Sequence, residues 1–130
     1  MNEVNEILSF YKKIGHNSDM IKKITSIFFF SGTGNTWWVS ELLARKLNRL
    51  GFKSQSYSIE QVNEKEINNL TLASDVIGLG FPIYGSDVPR IFNDFLDSLP
   101  KLENEKATLG FVTQLAWSGD GMNFLKRELL

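Results

Sequence analysis

The sequence predicts one α/β domain in which a parallel sheet is covered by helices on both faces. Strand-like segments at residues 24–30, 52–59, 72–81 and 107–113 alternate with amphipathic helical segments. Alternation at this pitch is typical of parallel strands joined by right-handed crossovers. The chain has 130 residues, of which 42% are hydrophobic, and this is enough for one compact core.

The first predicted element is an amphipathic helix over residues 3–14, which ends at Gly15. We interpret residues 1–20 as an accessory helix that packs on the surface of the domain formed by residues 21–130. Residues 24–30 are rich in Ile and Phe and carry no charge, as expected for a strand buried on both faces.

The remaining elements follow in regular order. A helix over residues 37–50 is predicted to end at Gly51, and a strand with alternating character follows it. Further helices are predicted over residues 60–70, over residues 88–99 with Pro89 in the first turn, and from residue 122 onward. The loops that follow the four strands are the expected ligand-binding segments, because ligands of such sheets lie beyond the carboxyl ends of the strands.

Composition excludes several classes of function. The chain has no cysteine and one histidine, His16, so disulfides, cysteine-ligated clusters and a zinc site are not expected. The net charge of −1 favours neither nucleic acid nor an anionic membrane as a partner. The sequence shows no signal peptide or membrane-spanning run, which predicts a cytoplasmic protein.

The loop after the first strand has the composition of a phosphate-binding segment. It joins a buried strand to a helix, and it combines three hydroxyls, one amide and two glycines in Ser31, Gly32, Thr33, Gly34, Asn35 and Thr36. Glycine allows the backbone to approach a ligand, and the start of a helix offers unpaired N–H groups and the positive end of a dipole. Because the loop lacks Lys and Arg, a terminal monophosphate would be held by neutral donors.

Alternative interpretations of this loop remain open. The loop lacks the lysine of a nucleoside triphosphate-binding loop. A dinucleotide fingerprint would begin at Gly32 and Gly34, but Trp37 occupies the position of its third glycine, although Glu60 could serve as the ribose-binding acid. A purely structural alternative is that Ser31 or Thr36 only caps the helix.

An apolar strand followed by S-G-T-G-N-T and an amphipathic helix resembles the phosphate-binding signature of the flavodoxin family. The segments FPIYGSDVPRIFNDFL and FVTQLAWSGDGMNFLKRELL resemble the flavodoxin half of bacterial ferredoxin–flavodoxin fusion proteins. The resemblance implies a flavodoxin-like three-layer αβα sandwich with strand order 2-1-3-4-5. It further implies FMN bound by the loops after strands one, three and four, and a role in electron transport or as part of an oxidoreductase.

Two further loops would contact the flavin ring by this resemblance. In the loop that begins with Pro82 and Ile83, Tyr84 could stack on the ring, and Gly85 matches the glycine whose peptide turns over toward flavin N5. The alternative is an ordinary turn in which Tyr84 fills a gap.

The loop after the fourth strand would bind the pyrimidine edge of the flavin, mostly through backbone groups. Its candidate residues are Thr113, Trp117 and Gly119, although Trp117 could instead pack on its own loop. No acid, base or nucleophile is singled out as catalytic. Trp37 and Trp38 are assigned to helix–sheet packing, although one of them could lie near the phosphate.

The sequence ends in the helix predicted from residue 122, without the family's fifth strand, so the order 2-1-3-4 would leave strand four at an edge. We therefore expect either a fragment of a longer protein or a partner, such as a homodimer, that covers this edge. A truncated sheet would also suit a cofactor-free interaction or assembly module with this fold. A third alternative is a nicotinamide-binding domain, which is favoured only by Gly32, Gly34 and Glu60. The redox partner cannot be identified from the sequence.

Overall fold

A computed structural model describes residues 23–83, 87–101 and 106–114, together with Asn5, which is helical. The predicted helices over residues 3–14 and from residue 122 onward otherwise lie outside these residues. Within the described ranges, the elements in chain order are β1 (Ile24–Phe29), α1 (Asn35–Arg49), β2 (Lys53–Ser58), α2 (Glu64–Ala73), β3 (Val76–Pro82), α3 (Arg90–Ser98) and β4 (Ala107–Thr113).

The four strands form one parallel sheet in the order β2-β1-β3-β4, as predicted. Every residue of β3 is buried, and so is every residue of β1 after Ile24. These two central strands are buried on both faces because both faces are covered, which is the usual state of strands in a parallel sheet.

Two hydrophobic cores cover the two faces of the sheet. On one face, Leu43 and Leu47 of α1 pack with Ile27 of β1. On the other face, the core contains Phe28 of β1 and Phe92 of α3, together with the residues of α2 that point toward the sheet. Helices on both faces confirm the predicted three-layer arrangement.

Aromatic contacts consolidate the second core. The ring centroids of Phe81 and Phe92 lie 4.7 Å apart, and those of Phe92 and Phe95 lie 5.4 Å apart, with tilted planes. Tilted pairs at these separations contribute about 0.5–1.5 kcal/mol beyond the burial of their area. They anchor α3 to the end of β3 from which a ligand-binding loop would leave.

The predicted boundary between the second helix and the third strand is wrong. The helix begins at Glu64 rather than residue 60, because the Asn63 side chain accepts a hydrogen bond from the Glu66 N–H at 2.8 Å and donates to the Glu66 carboxylate at 2.7 Å. It continues to Ala73, so Leu72, assigned to the strand by the sequence, is helical and 72% exposed.

The strand then begins at Val76, after a short connection that hydrogen-bonds to β1. Asp75 donates its N–H to the Ile24 carbonyl at 2.8 Å, and its carboxylate accepts the Ile24 N–H at 2.8 Å. The hydroxyls of Ser74 and Ser26 lie 2.6 Å apart. These bonds fix the position at which the chain enters the sheet.

Two other helix starts differ slightly from the prediction. α1 begins at Asn35, two residues earlier than predicted, and α3 begins at Arg90, with Pro89 as the residue that precedes the first turn. The β-strand over residues 107–113 has the predicted bounds.

The outer edge of β2 is partly covered by a side chain of α1. The Asn48 amide accepts a hydrogen bond from the Ser54 N–H at 2.6 Å and donates to the Ser54 carbonyl at 3.1 Å. On the opposite side of this strand, Lys53 donates to Lys23 and Ile59 donates to Phe29 of β1. Both backbone groups of Ser54 are therefore satisfied away from the sheet.

Glycines in β3 make room for large side chains on the α1 face of the sheet. A Cβ atom added to Gly80 would lie 2.2 Å from Cζ of Phe111, and one added to Gly78 would lie 3.0 Å from Cγ1 of Ile27. The Phe111 ring thus lies directly against the β3 backbone. This close approach packs β4 against the centre of the sheet.

We expect Gly80→Ala to lower the free energy of unfolding by about 1–3 kcal/mol, because the added methyl overlaps the Phe111 ring. Chemical denaturation measures the change. In a Phe111→Leu background the same substitution should cost clearly less, since the smaller side chain leaves room. An equal cost in both backgrounds would contradict the steric explanation.

We expect Asn63→Ala to destabilise the protein by about 1 kcal/mol, because it removes the side-chain cap of α2. Asn69, which is exposed within the same helix, provides the matched control. Asn69→Ala should be neutral or slightly stabilising, since alanine has the higher helix propensity. Equal effects of the two substitutions in thermal or chemical unfolding would rule out the capping role.

Candidate functional site

The carboxyl ends of β1, β3 and β4 meet at one edge of the sheet. Just beyond β1, Phe30 donates its N–H to the Gly80 carbonyl of β3 at 3.0 Å. Just beyond β3, Ile83 donates its N–H to the Thr113 carbonyl of β4 at 3.0 Å. The sheet thus brings together the starts of the three loops that the sequence analysis associates with a flavin.

The loop between β1 and α1 forms a tight turn. The Ser31 hydroxyl accepts a hydrogen bond from the Gly34 N–H at 3.0 Å. Gly34 has φ 95° and ψ −14°, a left-handed conformation that glycine adopts without a steric penalty. Its carbonyl then accepts the Trp38 N–H at 3.0 Å and begins α1. Ser31 therefore shapes the turn that leads into the helix, while its own O–H is still available to donate.

The N-terminus of α1 retains its capacity to bind an anion. No side chain caps it, and its first turn contains no acidic residue. The N–H groups of Asn35, Thr36 and Trp37 precede the first residue that can bond back into the helix. The positive end of the helix dipole lies at this loop, and Lys46 and Arg49 in the last turn lie near its negative end.

Thr36, which the sequence analysis places among the phosphate-binding residues, directs its hydroxyl toward β4. Its side chain is 1% exposed, and its hydroxyl lies 2.7 Å from the Thr113 hydroxyl at the end of β4. The Thr36 carbonyl accepts the Ser40 hydroxyl at 2.7 Å. Thr36 thus joins α1 to β4, and Thr33 and Asn35 remain as exposed polar side chains of the loop.

The other predicted contact residues divide into two groups. Pro82 and Ile83 are buried at the end of β3, and Thr113 is half-buried at the end of β4. The remaining predicted contacts lie outside the described residues, namely Tyr84, Gly85, Trp117 and Gly119.

The assignment of Trp37 and Trp38 to helix–sheet packing is wrong. Their side chains are 51% and 48% exposed, and neither belongs to the two cores. The buried residues of α1 are instead Thr36, Ser40, Leu43, Ala44 and Leu47. The two indoles therefore lie on the surface beside the loop that leads into α1.

A cleft of about 530 Å³ lies between α1 and β2. We call it the β2 cleft, and its walls include Ser31, Gly34, Trp37, Glu41, Ser56 and Ser58. The Ser56 hydroxyl donates a short hydrogen bond to the Glu41 carboxylate. No motif in the sequence predicted this cleft; the serines at alternate positions of β2 are the signal that could have indicated a polar face toward α1.

Tyr57 lines the same cleft from β2. Its ring lies 5.9 Å from that of Phe28, centroid to centroid, and burial raises the pKa of its hydroxyl above the ordinary value. The neutral phenol can donate a hydrogen bond.

No group of three His, Cys, Asp or Glu side chains in residues 23–83, 87–101 and 106–114 could hold a metal ion. None of the helices in these ranges is both long and apolar enough to cross a membrane.

Comparison with known proteins shows the fold. No protein-family model matches the chain, and no curated protein matches it. Among solved structures, the chain is similar to a metal-soaked flavodiiron core from Synechocystis sp. PCC6803, with a TM-score of 0.68 and 17% sequence identity. The match covers 98% of this chain and 32% of that one. Together with the strand order, it shows that this chain has a flavodoxin-like α/β fold.

The hydroxyl pair of Thr36 and Thr113 gives a testable stability effect. We expect Thr36→Val and Thr113→Val each to lower the free energy of unfolding by about 1 kcal/mol, because each leaves one hydroxyl without its partner. The double variant should lose less than the sum of the two. Thr33→Val, at an exposed position, is the control and should have little effect. Strict additivity in chemical denaturation would show that the two hydroxyls are not coupled.

Proposed function

We propose that this chain binds FMN non-covalently and uses it in electron transfer or flavin-dependent reduction. The observation that carries the proposal is the uncapped N-terminus of α1, which follows a Gly-rich turn at the edge where β1, β3 and β4 end. In an α/β sheet of this kind, the crevice beyond the carboxyl ends of the strands is the usual ligand site.

The phosphate of FMN fits the donors of this loop. The three first-turn N–H groups of α1, the Ser31 O–H and the exposed Thr33 hydroxyl are all neutral, and the helix dipole adds a positive field. A hydrogen bond from such a donor to a charged phosphate contributes about 1.5–3 kcal/mol. Several together can hold a monoester without a lysine or arginine.

The flavin ring would extend from this phosphate toward the ends of β3 and β4. Pro82 and Ile83 on one side, and Thr113 on the other, provide the bases from which the two ring-binding loops leave. By the resemblance given above, Tyr84, Gly85, Trp117 and Gly119 would contact the ring. In this arrangement the chain's residues hold the phosphate, orient the ring between the loops and restrict the access of water to it.

When bound, the flavin itself would supply the redox chemistry, since it can accept and donate electrons. The protein's part is binding and positioning. The similar solved structure is described as a flavodiiron core, a name that supports a flavin-related role for this fold.

The proposal predicts that the purified protein binds FMN saturably, with quenching of flavin fluorescence and a shifted visible spectrum. Riboflavin, which lacks the phosphate, should bind at least about a hundredfold more weakly, because it loses several charge-assisted bonds. Thr33→Ala should weaken FMN binding about tenfold and leave riboflavin binding unchanged.

Asn69→Ala is the matched control for that experiment, because Asn69 is exposed on α2, on the opposite face of the sheet from α1. It should leave both affinities unchanged. If micromolar FMN gave no saturable binding, the flavin function would be wrong, and the cofactor-free interaction module would be the better explanation. Equal affinities for FMN and riboflavin would refute the role of the loop.

A further inference from the structure

The β2 cleft adjoins the loop that leads into α1, on the side away from the ends of β3 and β4. Ser31 and Gly34 belong to that loop and also line the cleft. The sheet order places β2 on one side of β1 and places β3 and β4 on the other. A ligand whose phosphates lie at the N-terminus of α1 can therefore extend in two opposite directions.

The volume and walls of the cleft suit a planar group joined to a polyol. Its volume of about 530 Å³ lies within the range of about 300–1,000 Å³ that is usual for small-molecule sites. Trp37, which is half-exposed, lies one helical turn before Glu41 on α1, and both line the cleft. An exposed indole is a stacking surface for a nucleobase.

The polar groups of the cleft are those that recognise a ribose. The Ser56 hydroxyl holds one oxygen of the Glu41 carboxylate, so the direction of the carboxylate is fixed while its second oxygen remains available as an acceptor. A carboxylate oxygen is an acceptor to which a ribose hydroxyl can donate a hydrogen bond. Ser58 adds a further hydroxyl.

The charges around the cleft favour a nucleoside inside it and phosphates outside it. The residues that line the cleft include no Lys or Arg, and Glu41 is acidic. A phosphate is therefore disfavoured inside the cleft and favoured at the N-terminus of α1, whereas an uncharged nucleoside meets no such penalty.

From these observations we propose that the β2 cleft binds the adenosine unit of a flavin dinucleotide. FAD would then occupy this chain with its pyrophosphate at the loop that leads into α1, its flavin toward β3 and β4, and its adenosine against Trp37. This inference rests on the proposed flavin function and extends it, because it names the dinucleotide as the preferred form of the cofactor.

Isothermal titration of the purified chain with FMN, FAD and AMP tests the inference. We expect FAD to bind about tenfold or more tightly than FMN, the gain expected from stacking one base. AMP should bind on its own and compete with FMN, because both would place a phosphate at α1.

Variants then locate the adenosine. Trp37→Ala and Glu41→Gln should each reduce the ratio of FAD to FMN affinity about tenfold, and Trp37→Phe should retain most of it. Trp38→Ala is the control: this side chain is nearly as exposed, but it does not line the cleft, so the ratio should stay unchanged.

The outcomes separate the inference from the function on which it rests. FMN binding with no additional affinity for FAD would overturn the adenosine subsite and leave the flavin function standing. Binding of AMP without binding of either flavin would overturn the flavin function and support a nucleoside site in the cleft. An affinity ratio that is insensitive to Trp37→Ala, or that falls equally with Trp38→Ala, would also overturn the assignment of the β2 cleft.

Discussion

The parallel pairing of β1 with β3 is the constraint on which the rest of this structure depends. Both strands are buried on both faces, so each must be covered by helices above and below. Parallel neighbours also require a crossover between them, and the crossover helices supply that cover. The pairing therefore determines the three layers, and it also places the start of α1 at the edge where β3 and β4 end.

The candidate site is a consequence of this arrangement rather than an addition to it. The loop after β1 must turn sharply to bring α1 back over the sheet, and Gly34 makes that turn with its left-handed backbone. The same turn leaves the first N–H groups of α1 pointing beyond the strand ends. The hydrogen bond between the Thr36 and Thr113 hydroxyls then holds the start of α1 against β4, and this sets the position of the loop relative to the edge of the sheet. A rigid scaffold of this kind is what a cofactor-binding loop requires.

The approximate strand positions and the loop into α1 could be predicted from the sequence, because apolar runs and glycines are local signals. The strand order was implied by the resemblance to the flavodoxin family. The boundary between α2 and β3 could not be predicted. Leu70, Leu72 and Ala73 continue into the apolar β3 without a polar break longer than Ser74 and Asp75. The bonds of those two residues to β1 are tertiary contacts that mark where the strand begins, and no local pattern predicts them. Trp37 was misassigned for a related reason, since its exposure depends on how α1 lies over β2. The β2 cleft is built from residues that are far apart in the sequence, such as Glu41 and Ser56, and no local pattern connects them.

The amide of Asn48 has a consequence for how this protein avoids self-association. β2 lies at the edge of the sheet, where free backbone groups would invite another chain to add a strand. Lys53 and Ile59 direct their backbone N–H groups toward β1, so the residues at the other alternate positions of β2 direct their backbone groups outward. Ser54 is one of these, and the Asn48 amide bonds to both its N–H and its carbonyl. The side chain acts as a one-residue substitute for a neighbouring strand. With the exposed charge of Lys53 beside it, it protects the beginning of this edge against aggregation and directs any strand addition away from it.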